Sequence, residues 1–212
     1  MSPRNCRAAV RWRRSAALLL AVTVVAGCGG DDTAPPGTRD AVIARQLHDG
    51  GLVLVMRHAR TEQTTDEVEV LGDCERQRNL SADGREQAAA VGDAIRAAGI
   101  PVGEVRASPM CRARETAELA FPGEVEVDRV LVSPGVVGTL SDDERRIDKL
   151  KALASRTPDE GNLLLVTHTG NIGGAFGEAT VQEGDVLVLR PAAKGAEPLR
   201  IVAPEQWPQL AG

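Results

Sequence analysis

Two short aliphatic runs, Leu52-Val53-Leu54-Val55-Met56 and Leu163-Leu164-Leu165-Val166, are each followed at once by reactive side chains, Arg57-His58 after the first and Thr167-His168 after the second. Apolar runs of that length without polar alternation read as strands covered on both faces, the condition of a parallel sheet with helices on either side. The intervening sequence supplies the helices. Val42, Ile43 and Leu47 recur at helical spacing from Asp40 to His48, and Gly50-Gly51 stops them. Ser81 opens a helix that runs to Ala98 and is closed by Gly99 and Pro101, Ser108-Pro109 starts another, and Asp142 to Ser155 forms a third. Residues 104–107, 125–127 and 185–189 read as further strands, the last being the final strand expected, and a Gly-rich turn and helix follow His168. The fold class predicted is α/β, a three-layer α/β/α sandwich with a mostly parallel central sheet in a single domain. Ligands of such folds bind at the carboxyl ends of the strands, where two of the chain's three histidines fall.

The N-terminal residues carry a different signal. Residues 1–27 hold five arginines and no acid, and the apolar run Ala16 to Ala26 ends at Gly27-Cys28. This is the order of a signal peptide, and the run is shorter than the ~20 residues a membrane-spanning helix needs. Val25-Ala26-Gly27-Cys28 resembles a bacterial lipobox, with Cys28 the lipidated residue; the alternative is an ordinary secretory signal with a cysteine at that place. Residues 28–39, with Pro35-Pro36, read as a flexible tether, and the folded domain is expected over 40–212. Export would leave two cysteines, Cys74 and Cys111, free to pair in an oxidising compartment, the alternative being two buried thiols. The expected location is the outer face of a bacterial membrane, held by the lipid anchor alone. Beyond the leader, 20 basic residues face 30 acidic ones, and the chain has 2% aromatic residues and no Tyr. Such a surface excludes nucleic acid as a partner, lacking both clustered positive charge and stacking faces.

Arg57-His58-Ala59-Arg60 brings two guanidinium groups and an imidazole out of a buried strand, and cations so placed call for an anion. Arg112 lies one turn into the helix opened near Ser108, and His168-Thr169-Gly170 completes the set. Planar, permanently charged guanidinium groups suit phosphate oxygens, and neighbouring cations keep an imidazole neutral and nucleophilic. The structural alternative for His58 and His168 is a pair of satisfied core histidines.

These residues resemble the histidine phosphatase (phosphoglycerate-mutase-like) superfamily. Its Arg-His-Gly signature is similar to Arg57-His58-Ala59, its Ser-x-x-x-Arg-Ala-x-x-Thr-Ala segment to Ser108 through Ala117, and its late His-Gly to His168-Thr169-Gly170 with one residue inserted. Leu80-Ser81-Ala82-Asp83-Gly84-Arg85-Glu86-Gln87-Ala88 is similar to a fourth family segment. The resemblance implies that His58 forms a phosphohistidine, that Arg57, Arg112 and His168 hold the phosphoryl oxygens, and that water then hydrolyses the intermediate, with neither metal nor organic cofactor.

The departures bear on chemistry. Ala59 stands where the family has Gly, and Arg60 where Glu is common; Arg60 is either a substrate contact or an outward ion pair. The family's acidic proton donor has no clear counterpart, and the candidates are Glu62, Asp128, Asp142 and Asp143. Phosphoramidates, whose leaving group needs less protonation, are substrates of compact members that also lack an obvious acid. Asp73 through Leu80 resembles a subgroup acting on phosphorylated envelope sugars. The expected function is an extracytoplasmic phosphatase acting on phosphomonoesters or phosphoramidates, its partner a phosphorylated small molecule or an envelope glycan or lipid. The alternative is a non-catalytic lipoprotein that binds a phospholigand in a degenerate site.

Overall fold

The computed structural model describes residues 36–63, 70–123, 125–193 and 195–211. The leader, Cys28 and the first part of the expected tether lie outside the described residues. In chain order the elements are α1 (Pro36–Asp49), β1 (Val53–Arg57), α2 (Ala82–Ala97), β2 (Val102–Ala107), α3 (Cys111–Ala120), β3 (Glu126–Val127), α4 (Leu140–Ala154), β4 (Asn162–Thr167), α5 (Thr169–Phe176), β5 (Val186–Ala192) and β6 (Gly195–Val202), with short 3-10 turns at 74–76, 129–131 and 204–210. One six-stranded sheet has the order β3-β2-β4-β1-β5-β6. The first four of these strands are parallel, β5 runs antiparallel to β1, and β6 antiparallel to β5. The result is a single, mostly parallel α/β domain.

The continuous apolar runs follow from burial on both faces. Leu54, Met56, Leu164, Val166, Val186 and Val188 point to one side, where Ile43 and Leu47 of α1, Val91 and Ile95 of α2, Ala113 and Ala117 of α3, and Trp207 cover them. Val53, Val55, Leu163, Leu165, Leu187 and Leu189 point to the other, against Leu150 and Ala154 of α4 and Ile172 of α5. Period-two alternation thus yields two cores, so neither face can accept a polar residue. Buried Asn162 joins the layers at the far edge: its Oδ1 accepts from the Leu52 amide at 3.0 Å, and its Nδ2 donates to the carbonyls of Leu47 and Pro101 at 2.8 Å each.

Four of the differences from expectation have a plain physical reason. α1 begins at Pro36, inside the expected tether, because proline in a first helical turn forfeits no hydrogen bond. α3 begins at Cys111 and not at Ser108-Pro109: the Ser108 hydroxyl accepts from the Met110 amide and also meets His168, so it serves the site and not a helix end. α4 begins at Leu140, two residues early, closed by a reciprocal cap between Thr139 and Asp142. β6 was not expected, since Glu197, Pro198 and Arg200 break its apolar pattern; it is an edge strand, where such residues are tolerated. No helix among the described residues is long and apolar enough to cross a membrane.

Candidate active site

β1 and β4 are hydrogen-bonded neighbours in a register that sets Arg57 opposite Thr167, so the residues that leave them, His58 and His168, emerge side by side. Their ring centroids are 5.3 Å apart and tilted by 56°. The His58 amide donates to the Thr167 carbonyl at 3.0 Å, locking the two strand exits together. Both imidazoles are almost fully buried. His58 Nδ1 lies 2.9 Å from the Ala59 carbonyl, which can only accept, so Nδ1 carries the proton and Nε2 keeps its lone pair. His168 Nε2 lies 2.9 Å from the Ser108 hydroxyl, whereas its Nδ1 is buried with no hydrogen-bond partner.

Burial, followed by the charges of Arg112, Arg57 and Arg78, pushes His58 down to a pKa of about 3 against the opposing pull of the Ala59 carbonyl. Burial likewise holds His168 well below the ordinary histidine value, with Arg112, His58, Arg78 and Arg57 adding to it. Two neutral imidazoles therefore stand among guanidinium groups at neutral pH. Arg57 is fixed by Val181, whose carbonyl accepts from Nη1 at 3.0 Å, and by Glu183, whose Oε1 is 3.6 Å from Nη2; its Nε is buried and makes no hydrogen bond. Arg112 is buried at the start of α3, its Nη1 donating to the Arg78 carbonyl at 3.4 Å. Thr116, one turn on, accepts from the Ala59 amide at 3.0 Å and donates to the Arg112 carbonyl at 2.7 Å, so one hydroxyl ties the His58 loop to the Arg112 helix.

The structure thus brings Arg57, His58, Arg112 and His168 together. Arg60 it places elsewhere: with its amide bound to Gln87 and its carbonyl to the Ser81 amide, the side chain is exposed in a separate cavity of about 420 Å³ beside Asp83, Glu86 and Glu205. Of the proposed proton donors, Asp128 caps the 129–131 turn and pairs with Arg106 at 3.4 Å. Asp142 is consumed by the α4 cap and Arg145, bonds that hold it well below the usual carboxylate range. Buried Asp143 accepts from the Gly135 amide and pairs with Arg146. Glu62 lines a cavity with Arg57, a space of about 270 Å³ whose other walls are Thr61, Gln63, Arg78 and Glu183.

Arg78 and Glu183 were not anticipated. Arg78 lies in the polar stretch before Leu80, and Glu183 lies beyond the second histidine, outside the interval in which an acid was sought. The signal for Glu183 was the Gly184-Asp185 turn just ahead of β5: the Gly184 amide bonds the carbonyls of Arg57 and His58, and the Asp185 carbonyl accepts from the Arg57 amide at 3.0 Å. Cys74 and Cys111 are joined by a disulfide.

A parallel-sheet edge that presents two neutral imidazoles beside the part-buried Arg57 and the buried Arg112 is an arrangement suited to receiving an anion. Residues 53–132 match the family model of the histidine phosphatase superfamily (branch 1). The chain matches none of the curated proteins. Among solved structures, the protein histidine phosphatase SixA complexed with tungstate is 15% identical, with a TM-score of 0.52 over 73% of this chain and 98% of that one. The open reading frame Rv3214 from Mycobacterium tuberculosis is 18% identical, with a TM-score of 0.53 over 69% of this chain and 94% of its own. The phosphoserine phosphatase from Entamoeba histolytica in complex with 3-phosphoglyceric acid is 14% identical, with a TM-score of 0.52 over 72% and 96%. At such identities the likeness is one of fold.

Proposed function

We propose that this chain is an exported, lipid-anchored, metal-independent phosphatase that hydrolyses phosphomonoesters or phosphoramidates through a phosphohistidine on His58. The observation that carries the reading is the state of His58: proton on Nδ1, lone pair on Nε2, and a pKa of about 3 that keeps the ring neutral at working pH. Nε2 attacks phosphorus and the bond from phosphorus to the leaving oxygen or nitrogen breaks, with Arg57, Arg112 and His168 meeting the three phosphoryl oxygens as charge redistributes. Glu62, in the cavity beside Arg57, gives the leaving group its proton and afterwards takes one from the water that releases orthophosphate. Small phosphorylated ligands are supported by the fold relative that holds 3-phosphoglyceric acid. Export rests on the Arg-rich, apolar leader and the lipobox-like residues Val25 to Cys28.

The test is turnover of p-nitrophenyl phosphate and of phosphohistidine by the purified chain, beside His58→Ala and with chelator present. The expected result is activity that survives chelation and vanishes in the variant. Silence on both substrates, with orthophosphate still raising thermal stability, would leave the non-catalytic phospholigand-binding protein.

A further inference from the structure

We propose that Arg78 is a further substrate-binding residue of this site, and that the Cys74–Cys111 disulfide is what holds it there; the inference rests on the phosphoryl-site reading above. Arg78 is half-buried and shares the cavity with Arg57. Its charge reaches both imidazoles, lowering His58 and His168 alike. None of the family segments gives it a role, yet it lines the same cavity as Arg57, which one of them did assign.

Its backbone is held on one side by the Glu62 amide, which donates to the Asn79 carbonyl at 3.0 Å, and on the other by α3. The 74–76 turn contains no buried residue, and between Leu71 and Asn79 only the Gln77 side chain is buried. Three ties bind the segment to the first two residues of α3: the disulfide from Cys74 to buried Cys111, the Cys111 amide donating to Gln77 Oε1 at 2.8 Å, and Arg112 Nη1 donating to the Arg78 carbonyl at 3.4 Å. All three converge on the helix start that aims Arg112. Position of Arg78 and position of Arg112 are thereby set by one cross-linked unit, and severing the covalent tie frees the exposed segment to carry Arg78 away from the opening.

The experiment measures orthophosphate binding by calorimetry on the purified chain, unsubstituted and Arg78→Ala, each oxidised and after reduction with a phosphine, with circular dichroism confirming that the fold persists. Loss of one charged contact to an oxyanion weakens binding by about ten- to a hundredfold. Arg78→Ala is expected to weaken orthophosphate by that factor and Arg78→Lys by less. Reduction is expected to weaken the unsubstituted chain similarly and Arg78→Ala no further. His58, followed by its imidazole NMR signals, should titrate at higher pH in Arg78→Ala, a change that a structural role for Arg78 would not produce. Unchanged affinity in Arg78→Ala would overturn the inference. So would a reduction effect that is absent in the unsubstituted chain or equally large in Arg78→Ala, since the cross-link would then not act through Arg78. No orthophosphate binding by the oxidised, unsubstituted chain would instead overturn the phosphoryl-site reading itself.

Discussion

The burial of a neutral His58 makes the domain acid-sensitive, and the size of the effect follows from its two pKa values. In the unfolded chain a histidine titrates near 6.5, and in the folded domain His58 titrates at about 3. Above pH 6.5 neither state binds the proton, and the stability is present in full. Between 6.5 and 3 only the unfolded chain takes it up, so stability falls by about 1.4 kcal/mol per pH unit, and it is fully lost once pH passes below the folded value. From pH 7.5 to 5.0 the contribution of His58 is a loss of roughly 2 kcal/mol. His168 acts in the same direction. Urea unfolding at the two pH values gives the total loss, to which carboxylates also contribute; repeating it on His58→Gln isolates this histidine, because the variant has no group to protonate there. The acid loss in the variant should be smaller by about 2 kcal/mol. Saturating orthophosphate should reduce the loss in the unsubstituted chain, because an anion between the imidazoles offsets the burial that depresses them. Equal acid sensitivity in the two proteins would refute the argument and mean that His58 is hydrated or already protonated in the folded state.

Three other outcomes test the supports of the site. Gly84→Ala should destabilise despite the helix preference for alanine, by about 1–3 kcal/mol in urea, since its Cβ would stand 1.9 Å from the Arg60 carbonyl oxygen; a gain in stability would show that α2 can withdraw from the His58 loop without cost. Thr116→Val leaves the buried Ala59 amide without its acceptor and should cost about 1–3 kcal/mol, together with a fall in kcat/KM; unchanged stability and kinetics would dismiss the hydroxyl as a link between His58 and Arg112. Glu183→Gln keeps an oxygen for Thr61 but removes the carboxylate that shares Arg57, so orthophosphate should bind about two- to fivefold tighter. Weaker binding would mean that Arg57 needs the charge of Glu183 to hold its position.

What the sequence made legible is the part of the site carried by strands buried on both faces. The apolar runs 52–56 and 163–166 admit no polar residue, so the first polar residues after them, Arg57-His58 and Thr167-His168, mark the sheet edge, and the 57↔167 register then makes the histidines neighbours. The residues that escaped notice sit where that logic does not reach. Arg78 lies in a segment with one buried side chain and no periodicity, placed by a cross-link whose pairing sequence alone left open.

Glu183 escaped for a different reason, which is geometric. The rule that ligands gather at the carboxyl ends of strands holds for parallel strands, and the acid expected from the family resemblance lay between Arg112 and His168 or, as Glu62, in the loop after β1. β5 runs against β1, with Met56 opposite Val186, so it is the amino end of β5 that lies at the edge carrying the two histidines. The residues just before that strand, Val181 to Asp185, therefore fold back over Arg57: the Val181 carbonyl takes its Nη1, the Glu183 carboxylate approaches its Nη2, and the Asp185 carbonyl takes its amide. Gly184 permits the wrap, with φ at +88° and with a Cβ that would come within 2.5 Å of the Gln87 amide nitrogen. In a mixed sheet of this kind, acids and their supporting turns should accordingly be sought before an antiparallel strand as well as after the parallel ones.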